Sequence, residues 1–167
     1  MIPPLIPGNE TERIAALHSL DVLDREAGAS LEAITRCART AIGAPIALIS
    51  LIDHDRQWLM CRLGLDGTTE TPREVSFCAH AINTAEPFVV PDARADARFS
   101  DNPLVTGPPH VRSYLGMPLV TAHGGLALGS LCVIDHVPRA WSECDIALIR
   151  DLGAVAAVLL QTQEALR

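Results

Sequence analysis

The chain has 167 residues and a mass of 17.9 kDa, which suits one domain whose core needs no disulfide or metal to hold it together. Hydrophobic residues make up 49% and the mean hydropathy is +0.23, which excludes a disordered chain, and no apolar run approaches the roughly 18 residues of a membrane span. The net charge of −7, without any basic block, argues against nucleic acid or an anionic membrane as a partner.

Apolar periodicity predicts two helices at the start of the chain. Residues 1–8 contain three prolines and a glycine, so we expect a flexible leader. Asn9 is suited to cap a helix, with Glu12 at the capping-box position, and the spacing that follows predicts a helix over residues 9–20. Ser30 is predicted to cap a second helix, which should end at the glycine–proline stretch before the first strand.

Two strands, a short helix and a third strand are predicted next. The β-branched run 46–52 predicts a strand buried on both faces, and 57–65 predicts its hairpin partner, followed by a loop to residue 72. Residues 77–84 favour a short helix and residues 88–90 a short strand. The stretch 92–109 has little periodicity, and an irregular segment of this length in a compact domain indicates a functional loop.

The last third of the chain predicts a hairpin and a long helix. Residues 113–121 and 126–135 predict two strands around a Gly-Gly turn, and Ser142, with Asp145 in the reciprocal position, begins the final helix. Strands adjacent in sequence are joined by short turns, so the sheet should be mostly antiparallel. The predicted architecture is an α+β sandwich, with helices from both chain ends on one face of the sheet and loops on the other, in one domain over residues 9–167.

Basic and sulfur-containing residues restrict the chemistry. All 13 basic residues are arginine, which excludes a lysine Schiff base, a Walker-type phosphate lysine and a Ser–Lys dyad. The cysteines form no C-x-x-C pair and no zinc-like cluster. Their odd number and the apolar neighbours of Cys37, Cys61 and Cys132 predict reduced thiols. They are Cys37, Cys61, Cys78, Cys132 and Cys144.

Eight segments, taken in order, resemble bacterial GAF domains. They are residues 9–20, 43–53, 55–58, 71–82, 90–99, 101–105, 114–119 and 128–135. No single segment is diagnostic, but the ordered set is specific and extends over nearly the whole chain. The subgroup that it resembles typically stands ahead of diguanylate cyclase or histidine kinase domains.

The resemblance implies an antiparallel sheet in the order 2-1-5-4-3, terminal helices that often dimerise on one face, and a pocket under irregular loops on the other. The functions it implies range from small-molecule sensing to reduction of free methionine sulfoxide. Three departures narrow that range. The chain lacks the Asn-Lys motif of cyclic-nucleotide binders, a bilin-attachment cysteine within 106–112, and any cysteine within 92–112 that could be the reductase nucleophile.

Nine residues are candidates for lining the pocket. On residues 126–134 the odd positions are uniformly apolar or small, so the even positions, with Ser130 and Cys132, should face the pocket. Tyr114 is the only tyrosine, and its hydroxyl would find a partner at a pocket edge. The candidates are Phe77, Cys78, His80, Arg94, Phe99, His110, Tyr114, Ser130 and Cys132.

Two features allow more than one interpretation. Cys78 and His80 are either a reactive thiol–imidazole pair or a packed cysteine beside a hydrogen-bonded histidine. The alternating charges of residues 92–101 either let Arg94 or Arg98 bind a carboxylate or phosphate, or fix the loop through its own ion pairs.

The final helix carries more apolar surface than one sheet face can cover. Val155, Val158 and Leu166 lie off its main apolar stripe, which predicts a homodimer through the terminal helices. The candidate interface residues are Ile146, Ile149, Leu152, Val155 and Leu159.

The sequence thus predicts a cytoplasmic, non-catalytic sensory or regulatory domain with no indicated cofactor or metal. Its expected partners are a second copy, a small molecule and an output protein in trans, but neither nucleic acid nor membrane. Two alternatives stay open, namely a thiol redox enzyme or sensor using Cys78 and an interaction module with a vestigial pocket. Nothing in the sequence brings Cys61 or Cys132 within bridging distance of Cys78, so no reduction of methionine sulfoxide is expected.

Overall fold

The computed structural model describes residues 1–162. The helices are α1 (Glu10–Ser19), α2 (Ala29–Ile42), α3 (Phe77–Ala81), α4 (Pro103–Thr106) and α5 (Glu143–Thr162), and a 3₁₀ turn spans Arg73–Val75. The strands are β1 (Ile46–Ile52), β2 (Arg56–Leu63), β3 (Glu70–Pro72), β4 (Phe88–Val90), β5 (Ser113–Val120) and β6 (Ala127–Asp135).

The strands form one antiparallel sheet in the order β3-β2-β1-β6-β5-β4. The α+β class is confirmed, and without β3 the order is the one that the resemblance implies. β3 lies in a segment expected to be loop, where Glu70, Thr71 and Pro72 return alongside the start of β2. A segment of three residues that ends in proline is too short to show strand periodicity. It is a strand because it pairs with β2, and the local sequence does not indicate it.

The helices α1, α2 and α5 contribute to a core on one face of the sheet, called here the helix-side core. The sheet contributes to it through alternate positions of its central strands: Ala47, Ile49, Leu51, Leu115, Leu131 and Val133. On α5 a Cβ at Gly153 would lie 2.6 Å from Cγ of Met117 on β5, so this helix lies close against the sheet. None of the described helices is long and apolar enough to cross a bilayer.

The opposite face of the sheet packs against α3 and the segment around α4, and is called here the cavity-side core. Its sheet residues are the other alternate set: Ile46, Leu48, Ile52, Leu59, Tyr114, Cys132 and Ile134. The predicted parity holds for Cys132 but is wrong at the start of β6, where Ala127 joins the cavity-side core and Leu128 the helix-side core. The register shifts between Leu119 and Val120 opposite them, which reverses the alternation.

A buried ion cluster attaches α1 to the sheet. The fully buried Arg13 donates to the carbonyl oxygen of Ile52 at 2.7 Å and to both carboxylate oxygens of Glu10 at 2.9 Å. Arg73 also pairs with Glu10. Burial raises the pKa of Glu10, but its hydrogen bonds and charge pairing with the two arginines outweigh this and lower the pKa to about 2.

The predicted helix caps have different outcomes. Asn9 precedes α1 but makes no side-chain cap, so the capping box with Glu12 is wrong. The predicted Ser30 cap is also wrong, because α2 already begins at Ala29 after an extended Gly28. At α5 the box is confirmed, since Ser142 and Asp145 each accept a hydrogen bond from the other's backbone N–H at 3.0 Å.

Residues 1–8 have no regular secondary structure and lie against the cavity-side layer. The Ile2 N–H donates to the carbonyl oxygen of Arg98 at 3.1 Å, and the Asn83 amide donates to the carbonyl oxygen of Leu5 at 2.9 Å. The terminal amino group pairs with Asp101. These contacts hold the leader beside α3 and the irregular segment.

Candidate functional site

A cavity of about 250 Å³ lies on the cavity-side face of the sheet. Its walls come from the sheet, the start of α3, the segment between β2 and β3, and the segment that follows α4. The lining residues are Leu48, Gln57, Leu59, Leu65, Asp66, Thr68, Thr71, Phe77, Cys78, Leu104, Pro108, Pro109, Val111, Tyr114 and Ile134.

The cavity wall is mostly apolar, and its polar groups are largely engaged with one another. The side-chain amide of Gln57 donates to Thr71 at 2.9 Å and accepts from Ser76 at 2.7 Å. Among the described lining residues, Asp66 is the only charged one, and it is exposed at the edge. An uncharged, largely apolar molecule therefore suits this space better than an anion.

Two thiols lie close together at the wall of the cavity. Cys78 lines it from the first turn of α3, and its Sγ lies 3.9 Å from Sγ of Cys132 on β6. Cys132 is fully buried and does not line the cavity, so it lies behind Cys78. The expectation that no second thiol lies within reach of Cys78 is therefore wrong. The packing of α3 against β6 is a contact between distant segments, which local sequence patterns do not reveal.

Hydroxyl groups surround the same thiol. The Tyr114 hydroxyl donates to Sγ of Cys78 at 3.2 Å and lies 3.1 Å from Oγ of Ser130. Oγ of the fully buried Ser50 has no hydrogen-bonding partner within standard geometry. Ser50 pairs with Ser130 across β1 and β6, which places its hydroxyl on the strand beside the thiols, where it helps to lower the pKa of Cys78.

A glycine makes room for the tyrosine hydroxyl. Gly116 lies two residues beyond Tyr114 on β5, and a Cβ there would lie 2.3 Å from the Tyr114 Oη. Gly116 also pairs with Cys132 on β6. The absence of a side chain at this position is therefore what lets the hydroxyl lie next to the thiols.

The surroundings of Cys78 make it the more acidic of the two thiols. Burial raises the pKa of Cys78, but hydrogen bonds from neighbours including Cys132 and Ser130 outweigh it, and the pKa falls below its ordinary value. The pKa of Cys132 is raised, first by burial and then by its interaction with Cys78. The geometry points the same way, because the Tyr114 hydroxyl donates to Cys78 and so favours the thiolate on that sulfur.

His80 does not act on Cys78 but belongs to an aromatic cluster beside the cavity. Its ring lies edge-on to Phe99 at 4.8 Å, and Phe99 stacks on Phe77 at 4.0 Å. Burial and the nearby Arg98 charge lower the pKa of His80. Of the two interpretations of the Cys78–His80 pair, the structure favours separate roles, with the thiol in the cavity and the imidazole packed on aromatic rings.

The charged loop uses its arginines internally. Arg112 forms a two-pronged pair with Asp92 at 3.0 Å, and Arg98 pairs with Asp96 while lying over the Phe88 ring. Arg94 is exposed and does not line the cavity. Of the two interpretations of this loop, the structure favours a segment fixed by its own ion pairs.

Three of the nine candidate residues, Phe77, Cys78 and Tyr114, line the cavity. Ser130 and Cys132 contact those residues from behind, and four candidates are placed elsewhere. His80, Phe99 and Arg94 lie in the neighbouring aromatic cluster and charged loop, and the exposed His110 lies outside the lining although its neighbours Pro109 and Val111 belong to it.

The residues that the sequence did not single out come mainly from the segment between β2 and β3. Leu65 and Thr68 lie there, in a stretch with Gly64 and Gly67 at positive φ. Two such glycines around Leu65 and Asp66 indicate a shaped turn rather than a simple connection. The two glycines were therefore the feature of the sequence from which this part of the cavity wall could have been predicted.

The candidate dimer residues on α5 are placed in two ways. Ile149 is fully buried, so the expectation that it lies in an interface is wrong, while Ile146, Leu152 and Leu159 are half-buried against the helix-side core. Val155 and Val158 are 47% and 59% exposed. Leu166 lies outside the described residues.

Comparison with known proteins adds a family and two kinds of relative. A family model for the GAF domain matches residues 26–160. A cyclic di-GMP phosphodiesterase of Pseudomonas aeruginosa is 44% identical over 163 residues, which are 97% of this chain and 27% of that protein. The chain therefore spans about a quarter of that relative's length.

Solved structures confirm the fold. The GAF domain of a phosphoenolpyruvate-protein phosphotransferase from Coxiella burnetii has a TM-score of 0.69 at 17% identity, covering 94% of this chain and 95% of its own. A type II free methionine-R-sulfoxide reductase from Thermoplasma acidophilum has a TM-score of 0.64 at 14% identity, covering 78% and 89%. At these identities the likeness is one of fold alone.

Proposed function

The chain belongs to the GAF domain family, and from that premise we propose that it is a non-catalytic regulatory domain whose cavity binds a small, mostly apolar molecule. The observation that carries the proposal is the cavity itself, an apolar space over the thiol pair. An ordinary core is packed without such voids, so a space of this size suits a ligand.

The size and charge of the cavity limit the ligand. At about 250 Å³ the cavity lies just below the usual range of small-molecule sites, which is about 300 to 1,000 Å³, so the ligand must be small. A cyclic dinucleotide is larger than this and carries two negative charges. Asp66, the one charged group among the described lining residues, would repel it. The nucleotide named for the Pseudomonas relative is therefore not the ligand proposed for this cavity.

The output proposed for the domain is control of cyclic di-GMP turnover. Support comes from the relative, in which a segment 44% identical to this chain makes up about a quarter of a protein named for that phosphodiesterase activity. The domain would act on a catalytic unit in the same polypeptide or in trans. On this proposal the chain itself neither hydrolyses cyclic di-GMP nor binds it in the cavity.

The mode of relay proposed is a homodimer through the terminal helices. Val155 and Val158 expose apolar surface on α5, which lies directly on the sheet that carries the cavity. A change in the cavity-side core can reach this helix across the thickness of one sheet. A second copy of the chain, burying the two valines, would convert that shift into a change between subunits.

Ligand binding is tested by filling the cavity. Leu65 is half-buried in the wall, so L65W should occupy the space, whereas V137W places the same bulk at an exposed site outside the lining. The freshly purified, reduced protein is expected to retain a small molecule in native mass spectrometry, or to bind indole as a probe. L65W should lose the molecule and weaken indole binding about tenfold or more, about 1.4 kcal/mol, while V137W keeps both.

A wild-type protein that retains nothing and does not bind indole would contradict the cavity proposal. The proposal that the chain is not itself a phosphodiesterase is tested by incubating it with cyclic di-GMP. We expect no hydrolysis, and hydrolysis by the wild-type chain that L65W abolishes would show that this cavity is an active site.

A further inference from the structure

We propose that Cys78 and Cys132 are a peroxide-reactive dithiol, in which an apolar hydroperoxide that enters the cavity oxidises Cys78 and Cys132 then closes a disulfide with it. This deepens the proposed function, on which it rests for entry of an apolar molecule, by naming the ligand's chemical class. It also gives the cavity a covalent response in addition to occupancy.

The geometry assigns different roles to the two thiols. Cys78 is 2% exposed and lines the cavity, so an oxidant meets this sulfur first. Cys132 is 0% exposed and lies behind it, with the sulfur atoms 3.9 Å apart. A disulfide needs them at about 2.05 Å, which is a displacement of about 2 Å that a side-chain rotation and a small shift of the start of α3 can supply.

Hydrogen-bond donors are placed for the reaction. The Tyr114 hydroxyl donates to Sγ of Cys78 at 3.2 Å, which stabilises the thiolate that attacks. Ser130 lies 3.1 Å from the Tyr114 oxygen and completes a short chain of hydroxyl groups. This chain can also provide a proton for the oxygen that leaves.

The steps balance with the hydroperoxide as the sole oxidant. The Cys78 thiolate attacks the outer peroxide oxygen, the O–O bond breaks, and the leaving alkoxide takes a proton to become an alcohol, which leaves Cys78 as a sulfenic acid. The Cys132 sulfur then attacks Sγ of Cys78, an S–S bond forms, and water departs. Two thiols have lost two electrons, and the peroxide has gained them.

The cavity selects the class of oxidant. Its walls are mostly apolar, so a hydroperoxide with a hydrocarbon tail buries that tail, whereas hydrogen peroxide gains nothing from them. Free methionine sulfoxide carries both a carboxylate and an ammonium group. The described lining offers it no cationic side chain, so this zwitterion is not expected to be reduced.

Disulfide formation would move the wall that borders the ligand space. Cys78 follows Phe77, which stacks on Phe99 at 4.0 Å, so drawing the start of α3 toward β6 displaces the aromatic cluster. Phe99 belongs to the irregular segment, which Asn102 ties to the 3₁₀ turn through a hydrogen bond to the carbonyl oxygen of Val75 at 3.0 Å. The disulfide would therefore shift both α3 and the irregular segment, which border the cavity.

The test uses the variant C37S/C144S as parent, which removes the two exposed cysteines and leaves the two-thiol cluster intact. The reduced parent is treated with cumene hydroperoxide or with hydrogen peroxide, denatured, alkylated and digested. We expect the Cys78 and Cys132 peptides to be joined by a disulfide, with a mass about 2 Da below the sum of the two reduced peptides. This disulfide should form about tenfold faster or more with cumene hydroperoxide than with hydrogen peroxide. Dithiothreitol should reverse it.

Matched variants locate the chemistry. Adding C61S to the parent removes a buried cysteine of the helix-side core and should leave oxidation unchanged. Adding C132S should stop the reaction at a Cys78 sulfenic acid, which dimedone traps, and adding C78S should abolish the reaction. Thermal melting of each variant checks that it is folded, and the parent result alone already tests the proposal.

Three outcomes overturn the inference. Cys78 remains fully alkylatable after treatment, the disulfide involves another cysteine, or the two peroxides react at equal rates. Indole binding by the reduced parent separates this failure from failure of the proposed function. Binding without oxidation leaves the ligand cavity standing and removes the dithiol, whereas absence of both removes the cavity as a site.

Discussion

Two buried cysteines, Cys61 and Cys78, lie on opposite faces of one sheet and have opposite acidities. Cys61 belongs to the helix-side core, where burial raises its thiol pKa to about 11. Cys78 belongs to the cavity-side core and is at least as buried, yet its pKa falls below the ordinary thiol value. The number of hydrogen-bond donors around the sulfur, and not burial, separates the two.

The same contrast holds for the faces as wholes. The helix-side core consists mainly of aliphatic side chains from α1, α2, α5 and the sheet, with Trp141 and Cys61 as exceptions, and it is stabilised by burial and close packing. The cavity-side core includes aromatic rings, two thiols and a hydroxyl beside a void. A β-strand presents alternate residues to the two faces, so one sheet can support a close-packed core on one face and a cavity whose lining includes polar groups and a thiol on the other.

The largest expected effect separates two neighbouring residues on β6 that face opposite cores. Leu131 is fully buried in the helix-side core, so L131A should lower the free energy of unfolding by about 2–5 kcal/mol. C132A, one residue along and on the other face, removes a smaller side chain and should cost less. Urea denaturation measures both. Equal losses would contradict the division of labour between the faces.

The ion cluster at the end of the sheet has the next largest expected effect. The pKa of Glu10 falls from an ordinary 4.5 to about 2 on folding, so its ionised form stabilises the folded state above pH 4.5. This contribution of about 3 kcal/mol is lost progressively as the pH falls through that range toward 2. E10Q should be less stable than wild type at pH 7 and approach it at pH 2. Parallel unfolding curves at the two pH values test this, and a constant difference would contradict it.

Thiol reactivity tests the difference between Cys61 and Cys78 directly. In the C37S/C144S background at pH 8, the small reagent methyl methanethiosulfonate should modify Cys78 about tenfold faster or more than Cys61. The Cys61 pKa of about 11 lies about four units above the Cys78 pKa of about 7, so their thiolate fractions at pH 8 differ by about 1,000-fold, and the lower nucleophilicity of the more acidic thiolate offsets part of that difference. Peptide mapping over time gives both rates in one sample. Equal rates would mean that hydroxyl donors do not control these sulfurs.

The smallest expected effect on stability lies outside both cores. Val158 is 59% exposed on α5, so V158E should change the free energy of unfolding by no more than about 0.5 kcal/mol. If the proposed dimer forms through this surface, the same change should convert it to a monomer in sedimentation velocity. V137E, the same substitution at a valine that is 54% exposed outside α5, is the matched control for added charge. A wild-type monomer at tens of micromolar would contradict the dimer.

The sequence predicted the sheet well because its strands carry strong local signals. The β-branched run of β1 and the Gly-Gly turn between β5 and β6 define antiparallel neighbours without any long-range information. Parity also placed Ser130 and Cys132 on one face. It failed at Leu128, because the irregularity opposite that residue depends on how β5 pairs and not on the sequence of β6.

The candidate site was less predictable because it depends on contacts between distant segments. Cys78 and Cys132 are 54 residues apart, and only the docking of α3 on β6 brings them together. Leu65 and Thr68 enter the cavity wall because β3 turns back along β2, and three residues give no periodic signal for that strand. Charge alternation in residues 92–101 was visible in the sequence, but its partners were not.

The arrangement around the thiol pair requires a missing side chain at Gly116 as well as the reactive groups themselves. An alanine there would press on the Tyr114 hydroxyl, which donates to Cys78. Inspection of other sequences for this chemistry should therefore ask for four positions together: the two cysteines, the tyrosine, and a glycine two residues after it. A chain that keeps the cysteines but has a larger residue in place of this glycine would retain both thiols and lose the tyrosine hydroxyl that donates to one of them.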